Sequence, residues 1–140
     1  MAYREILGQE IVKDILTRFA ASGKIPHALL FVGPPGTQKR ETAAEFARIL
    51  LCEASPSNGE ACGSCQGCHL FELNSHPDVF FLNPKGKMRH VKMDETRELL
   101  RFLSLKPYLE KYKIAVLPDA DTLSDASGNA ILKFLEEPPE

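Results

Sequence analysis

Short apolar runs alternating with amphipathic helical patterns predict an α/β fold built on a mainly parallel sheet. The runs are residues 28–32 (ALLFV), 78–82 (DVFFL) and 113–117 (KIAVL), each bounded by turn-forming residues. Between the first two lie all four cysteines of the chain, at 52, 62, 65 and 68, which predict a small inserted metal module.

Each element has its own reason. Over residues 9–21 apolar side chains recur at helical spacing: Ile11, Ile15 and Phe19, with Val12 and Leu16 beside them. This predicts an amphipathic helix stopped by Ser22-Gly23. Residues 28–32 form a continuous apolar run, the pattern of a strand buried on both faces. A glycine- and proline-rich loop follows, and then a helix over 41–51, with Ala44, Phe46, Ala47, Ile49 and Leu50 available for packing. The segment 52–68 is rich in Gly, Ser and Cys, and a short helix leaves it toward Leu73. Residues 78–82 predict a second strand and 84–87 a basic turn. A helix over 94–103 places Asp94 and Glu95 at its positive N-terminal end. A third strand at 113–117 and a helix at 124–135, stopped by Pro138-Pro139, complete the order. A doubly wound sheet calls for another strand after that helix, so the expectation is a piece of a longer protein.

A chain of 140 residues is about one domain. Its 17 basic and 19 acidic side chains leave a net charge of −2, which encodes no global attraction to DNA or to a membrane. No apolar run reaches the ~18–20 residues of a membrane span. The charged N-terminus MAYREILGQE does not read as an export signal. A cytoplasmic location follows as the expectation, and a reducing compartment argues against disulfides.

The loop GPPGTQKRE, residues 33–41, sits between an apolar run and a helix, as a phosphate-binding loop does. In such loops backbone N–H groups and the helix N-terminus form an anion cradle. Gly33, Gly36 and Lys39 fit that pattern and are the candidate anion-binding residues. Gln38 replaces the glycine that lets the backbone approach phosphate, and Arg40 replaces the small hydroxyl that holds Mg²⁺. Nucleotide hydrolases also place an acid for Mg²⁺ after the third strand. Here Pro118 stands in that place and Asp119 falls where the water-activating acid belongs, but Asp119 and Asp121 read rather as turn punctuation that caps the next helix. Two magnesium positions are degraded, so no catalytic residue is expected. An ordinary strand–helix turn with fortuitous glycines remains the alternative.

The cysteine spacing, Cys52-x9-Cys62-x2-Cys65-x2-Cys68, is that of a closed tetrahedral structural zinc site. Such a site folds a loop with little core of its own. The small residues Gly63, Ser64 and Gly67 let the backbone turn around the ion. An iron–sulfur cluster and four free thiols are the alternatives. His69 and His76 are reserve ligands only.

The segments ILGQE, PHALLFVGPPG, SHPDVFFLNP, MDETRELLRFLSLKP and GNAILKFLEEPPE, together with the cysteine insertion, resemble the bacterial clamp-loader ATPases of the AAA+ class. The resemblance covers essentially the whole chain. It implies a P-loop NTPase-like AAA+ parallel sheet flanked by helices, incomplete at its C-terminal side, with the zinc module at about 52–68. One branch of that family has an intact phosphate loop; Gln38, Arg40 and Pro118 are similar to the branch with a degraded nucleotide site. That branch implies a non-hydrolysing structural subunit, with structural zinc and without ATP as a working cofactor. The implied partners are gamma/tau and delta subunits, with the sliding clamp and primed DNA reached mainly through the assembly. The arginine finger that this branch lends its neighbour is implied beyond residue 140. The family's strand order, 5-1-4-3-2, implies that residues 28–32 and 113–117 either pair directly in this chain or leave an exposed edge.

Two other functions stay open on the sequence. One is an active ATP-hydrolysing motor subunit with a divergent loop. The other is a zinc-bearing DNA-binding module using Lys85, Lys87, Arg89 and Lys92.

Overall fold

Helix α1 (Glu10–Ser22) ends where Gly23 adopts φ 73° and returns its N–H to the Phe19 carbonyl at 3.1 Å, a left-handed stop that glycine makes without strain. The structure, a computed structural model, describes residues 3–54, 60–82, 93–109 and 112–137. The chain divides into two units, Met1–His76 and Pro77–Glu140.

In the first unit, a 3₁₀ turn at Tyr3–Glu5 precedes α1, and α2 (Lys39–Leu51) and α3 (Gln66–Glu72) follow. Its core joins Tyr3, Ile6, Leu16, Phe46 and Ile49, with Val12, Phe19, Ile25 and Phe31 packed against them. Burying side chains of this size contributes about 1.5–3 kcal/mol each. The inner face of α1 is thus Val12, Leu16 and Phe19, while Ile11 is 78% and Ile15 44% exposed. Helical period sets the spacing of a stripe, but the neighbour decides which flank of it is covered. α2 begins two residues earlier than periodicity alone predicts, because its first turn already includes Lys39 and Arg40.

The expected strand at residues 28–32 does not form in the described structure. Leu30 is 81% and Val32 84% exposed, and only Phe31 of that run packs into the core. A strand exists through ladder hydrogen bonds to a neighbour, and apolar composition alone supplies none. Direct pairing with residues 113–117 is likewise not seen among the described residues. Leu30 and Val32 are left exposed, but without a strand at 28–32 the run presents no strand edge of the kind expected.

The second unit contains β1 (Val79–Phe81), α4 (Met93–Leu103), β2 (Ile114–Val116), a 3₁₀ turn at Ala120–Thr122 and α5 (Asp125–Glu136). β1 and β2 pair in parallel, with Val79 opposite Ile114 and Phe81 opposite Val116. The fold is therefore a mixed one, helices with a small parallel sheet. Its core is Leu82 and Leu99, covered by Phe80, Leu103, Ala115, Leu117, Leu123 and Ile131.

Two polar devices fix this unit. The buried Thr96 hydroxyl donates to the buried Ser127 hydroxyl at 2.8 Å, tying α4 to α5. The fully buried Asp78 carboxylate accepts the Tyr108 N–H at 2.7 Å and the Leu109 N–H at 2.9 Å, with the Lys113 ammonium at 3.4 Å. Lys113 also lies 4.0 Å over the Phe102 ring, a cation–π contact. Burial would raise the Asp78 pKa, but the Leu109 and Tyr108 N–H groups and Lys113 hold it below the ordinary value. The basic turn at 84–87 and Pro138-Pro139 lie outside the described residues.

Candidate functional site

The cysteines converge because α2 and α3 bring their ends together. Cys52 caps the C-terminus of α2, and Cys65 caps the N-terminus of α3, where its sulfur accepts the Cys68 N–H at 3.4 Å. Gly67, on the first turn of α3, is what allows the approach: a Cβ there would lie 2.4 Å from the Leu51 carbonyl oxygen. Gly67 therefore serves helix packing and not the backbone turn expected of it. Gly63 does serve a turn, at φ 76° between Cys62 and Cys65. Residues 55–59, inside the expected module, lie outside the described residues.

The sulfurs of Cys52, Cys62, Cys65 and Cys68 all lie within 4.8 Å of one another. Those of Cys62 and Cys68 are 3.9 Å apart, far beyond the ~2.05 Å of a disulfide. A tetrahedral ion with metal–sulfur bonds of ~2.3 Å places its sulfurs about 3.8 Å apart. The cage thus fits one such ion. Backbone N–H groups already point at the sulfurs: Cys62 to Cys52 and Glu53 to Cys65 at 3.4 Å, Ser64 to Cys62 at 3.4 Å and Cys65 to Cys62 at 3.3 Å. Donors of this kind stabilise thiolates and orient them. N–H groups of Ser64 and Cys65 lower the Cys62 thiol to about 6, whereas burial pushes Cys68 up to about 12. His69 and His76 are not in the cluster found among the described residues.

The phosphate-loop residues sit at the other end of α2. Gln38 precedes the helix in the left-handed region, φ 58°, and Gly36 has φ 89°. The loop thus keeps a glycine-type backbone at a position filled by glutamine, a conformation uncommon for non-glycine residues. The Gln38 side-chain oxygen accepts the Leu7 N–H at 3.0 Å. Lys39 folds back and donates to the Gly33 carbonyl, and the Thr37 hydroxyl donates to Pro34 at 2.9 Å. Gly33 and Lys39 are therefore brought together directly, with Gly36 at the bend between them. Arg40 is exposed.

In the second unit Asp119 starts the 3₁₀ turn without a side-chain cap, its carbonyl accepting the Thr122 N–H at 2.9 Å. The cap of α5 is Ser124, whose hydroxyl accepts the Ser127 N–H at 3.1 Å. The capping role expected of the aspartates belongs to this serine, which is the residue placed directly before the helix. Lys85, Lys87, Arg89 and Lys92 lie outside the described residues.

A family profile described as DNA polymerase III, delta subunit, matches residues 8–140. The chain belongs to the DNA polymerase III delta-subunit family. The clamp-loader resemblance read from the motifs is borne out at that level. The chain is 38% identical over 112 residues to DNA polymerase III subunit delta' of Pseudomonas aeruginosa, covering 80% of this chain and 34% of that protein. It is 36% identical over 118 residues to subunit delta' of Escherichia coli, covering 84% and 35%. With subunit gamma/tau of Mycobacterium tuberculosis it shares 34% over 139 residues, covering 99% and 24%. The chain thus spans about a third or less of the length of these curated relatives.

Two residues of this delta-subunit family member escape sequence reasoning. Arg48, 12% exposed, lies 3.5 Å from the buried Glu45 carboxylate and 3.7 Å from Glu72. Its guanidinium also borders the cysteine turn, where a Cβ on Gly63 would lie 3.4 Å from Nη2. Burial pushes the Glu45 carboxyl up to about 7, with Arg48 opposing. Tyr3 is raised too, by burial and then by Glu45. Along the sequence both look like surface charges at i, i+3; their burial depends on segments outside α2, the cysteine turn and α3 beside Arg48 and Tyr3 beside Glu45.

Proposed function

We propose that the chain is the first part of a delta-prime-type clamp-loader subunit, a structural member of the assembly that does not hydrolyse ATP. Family membership over residues 8–140 supports the clamp-loader role. The observation that carries the non-hydrolysing part is the loop: Arg40 stands at the magnesium position, and the Gln38 side chain is committed to the Leu7 N–H. A cation cannot ligate a cation, so Mg²⁺-dependent phosphate chemistry has no anchor there. Gly33, Gly36 and Lys39 retain the capacity to hold an anion.

In this reading residues 1–140 contribute the early strands and helices of an AAA+ domain, in the cytoplasm. Gamma/tau and delta subunits are its partners. The sliding clamp and primed DNA are engaged through the assembly. Cys52, Cys62, Cys65 and Cys68 hold a structural zinc ion, which would lock the loop between α2 and α3. A multi-iron cluster would need its outer sulfurs more widely spread than this cage has them.

Labelled ATP, titrated with and without Mg²⁺, tests the first point. Weak or absent binding that ignores Mg²⁺ is expected; micromolar Mg²⁺-dependent binding with turnover would favour an active motor subunit. That second reading has its own support, since gamma/tau relatives align over nearly the whole chain. Metal analysis should return about one zinc per chain, and iron or no metal in folded protein overturns the zinc assignment. Co-purification with gamma/tau and delta subunits tests the assembly.

A further inference from the structure

Arg48 lies one helical turn before Cys52 on α2, so the two point along the same face. Its guanidinium also borders the 62–65 turn: a Cβ placed on Gly63 would lie 3.4 Å from Nη2. A divalent ion bound by four thiolates carries a net charge of −2. Two of the four cysteines, Cys52 and Cys68, are fully buried, and charge in such a place is costly unless compensated. Arginine brings a fixed positive charge and five donors. Glu45 and Glu72 meet that guanidinium only at 3.5 and 3.7 Å, and Nε has no acceptor among the described residues. The guanidinium therefore has donor capacity that its two carboxylates do not use, and its Nη2 borders the cysteine turn.

We propose that Arg48 is the outer-sphere cationic partner of the metal–thiolate centre, set against the turn that carries Cys62 and Cys65 and held in place by Glu45 and Glu72. The inference rests on the zinc reading above and adds a positioning residue to it. Arg48 partly cancels the charge of the centre and holds the cysteine turn against α2. Its loss leaves the ligands in place and weakens their hold on the ion.

Zinc affinity of the whole chain, measured by competition with a chromophoric chelator, provides the test. Arg48→Met should weaken zinc binding by about 10–100-fold, the usual effect of losing an outer-shell partner. Arg48→Lys, which keeps the charge but not the forked donors, should fall between. Removing one partner strands Glu45 in a buried place and can harm folding, so the double variant Glu45→Gln/Arg48→Met separates the effects. If Arg48 acts on the metal, the double variant binds zinc as weakly as Arg48→Met. In cobalt-loaded protein the sulfur-to-metal charge-transfer band should shift in both. Wild-type affinity within twofold in Arg48→Met, or restored in the double variant, overturns the proposal. A wild-type chain that takes up no zinc overturns the metal reading itself before any variant is compared.

Discussion

At Gly67 a single hydrogen atom decides whether two helices meet. A methyl group there would collide with the Leu51 carbonyl oxygen at 2.4 Å, and a backbone oxygen cannot swing aside. Gly67→Ala should cost about 1–3 kcal/mol and weaken zinc retention, both visible as a lower Tm and faster loss of metal to a chelator. Gly128, inside α5 with open space around it, is the matched control. Gly128→Ala should raise stability by about 0.4–1 kcal/mol, measured by urea unfolding. Asp78 gives the pH-dependent case. Its carboxyl titrates below the ordinary value of 3.8, so its contribution is present above that pH and is lost as pH falls through the folded-state value. Asp78→Asn should therefore destabilise the second unit at neutral pH by about 1–3 kcal/mol, because one buried N–H loses its acceptor. The same variant should flatten the loss of stability that wild type shows in acid.

Between elements, the Thr96–Ser127 bond joins α4 to α5 where no water reaches. Thr96→Val strands one hydroxyl and should cost about 1–3 kcal/mol. Adding Ser127→Ala to it should cost less than the sum of the single changes, which a double-mutant cycle in urea would show. Elements of this kind differ in how far the sequence reveals them. The helices were legible because their apolar period and stops such as Gly23 are local. The strands at 79–81 and 114–116 were legible because each run found the other in parallel register. Residues 28–32 have an equally apolar run and form no strand in the described structure, since pairing is a property of two segments.

Across the whole molecule the two units carry different dependencies. Chelation should remove hydrogen-exchange protection around Cys52, Cys65 and Cys68 while leaving β1 and β2 in the other unit protected. Equal loss of protection in both units would contradict a locally structural metal. The four cysteines were readable from spacing, because covalent chain length limits where they can go. Glu45 and Arg48 were not, because their burial depends on segments distant in sequence, Tyr3 on one side and the 62–72 stretch on the other.

Helix α2 holds Lys39 in its first turn and ends at Cys52. Its 13 residues span about 20 Å and turn ~100° per residue, so the anion loop and the metal cage are locked in rotational phase. Deleting one residue would swing Cys52 a quarter-turn and more away from its fellow ligands while moving it only ~1.5 Å along the axis. The helix works like a geared shaft, whose length can change without disengaging the cage only by close to whole turns.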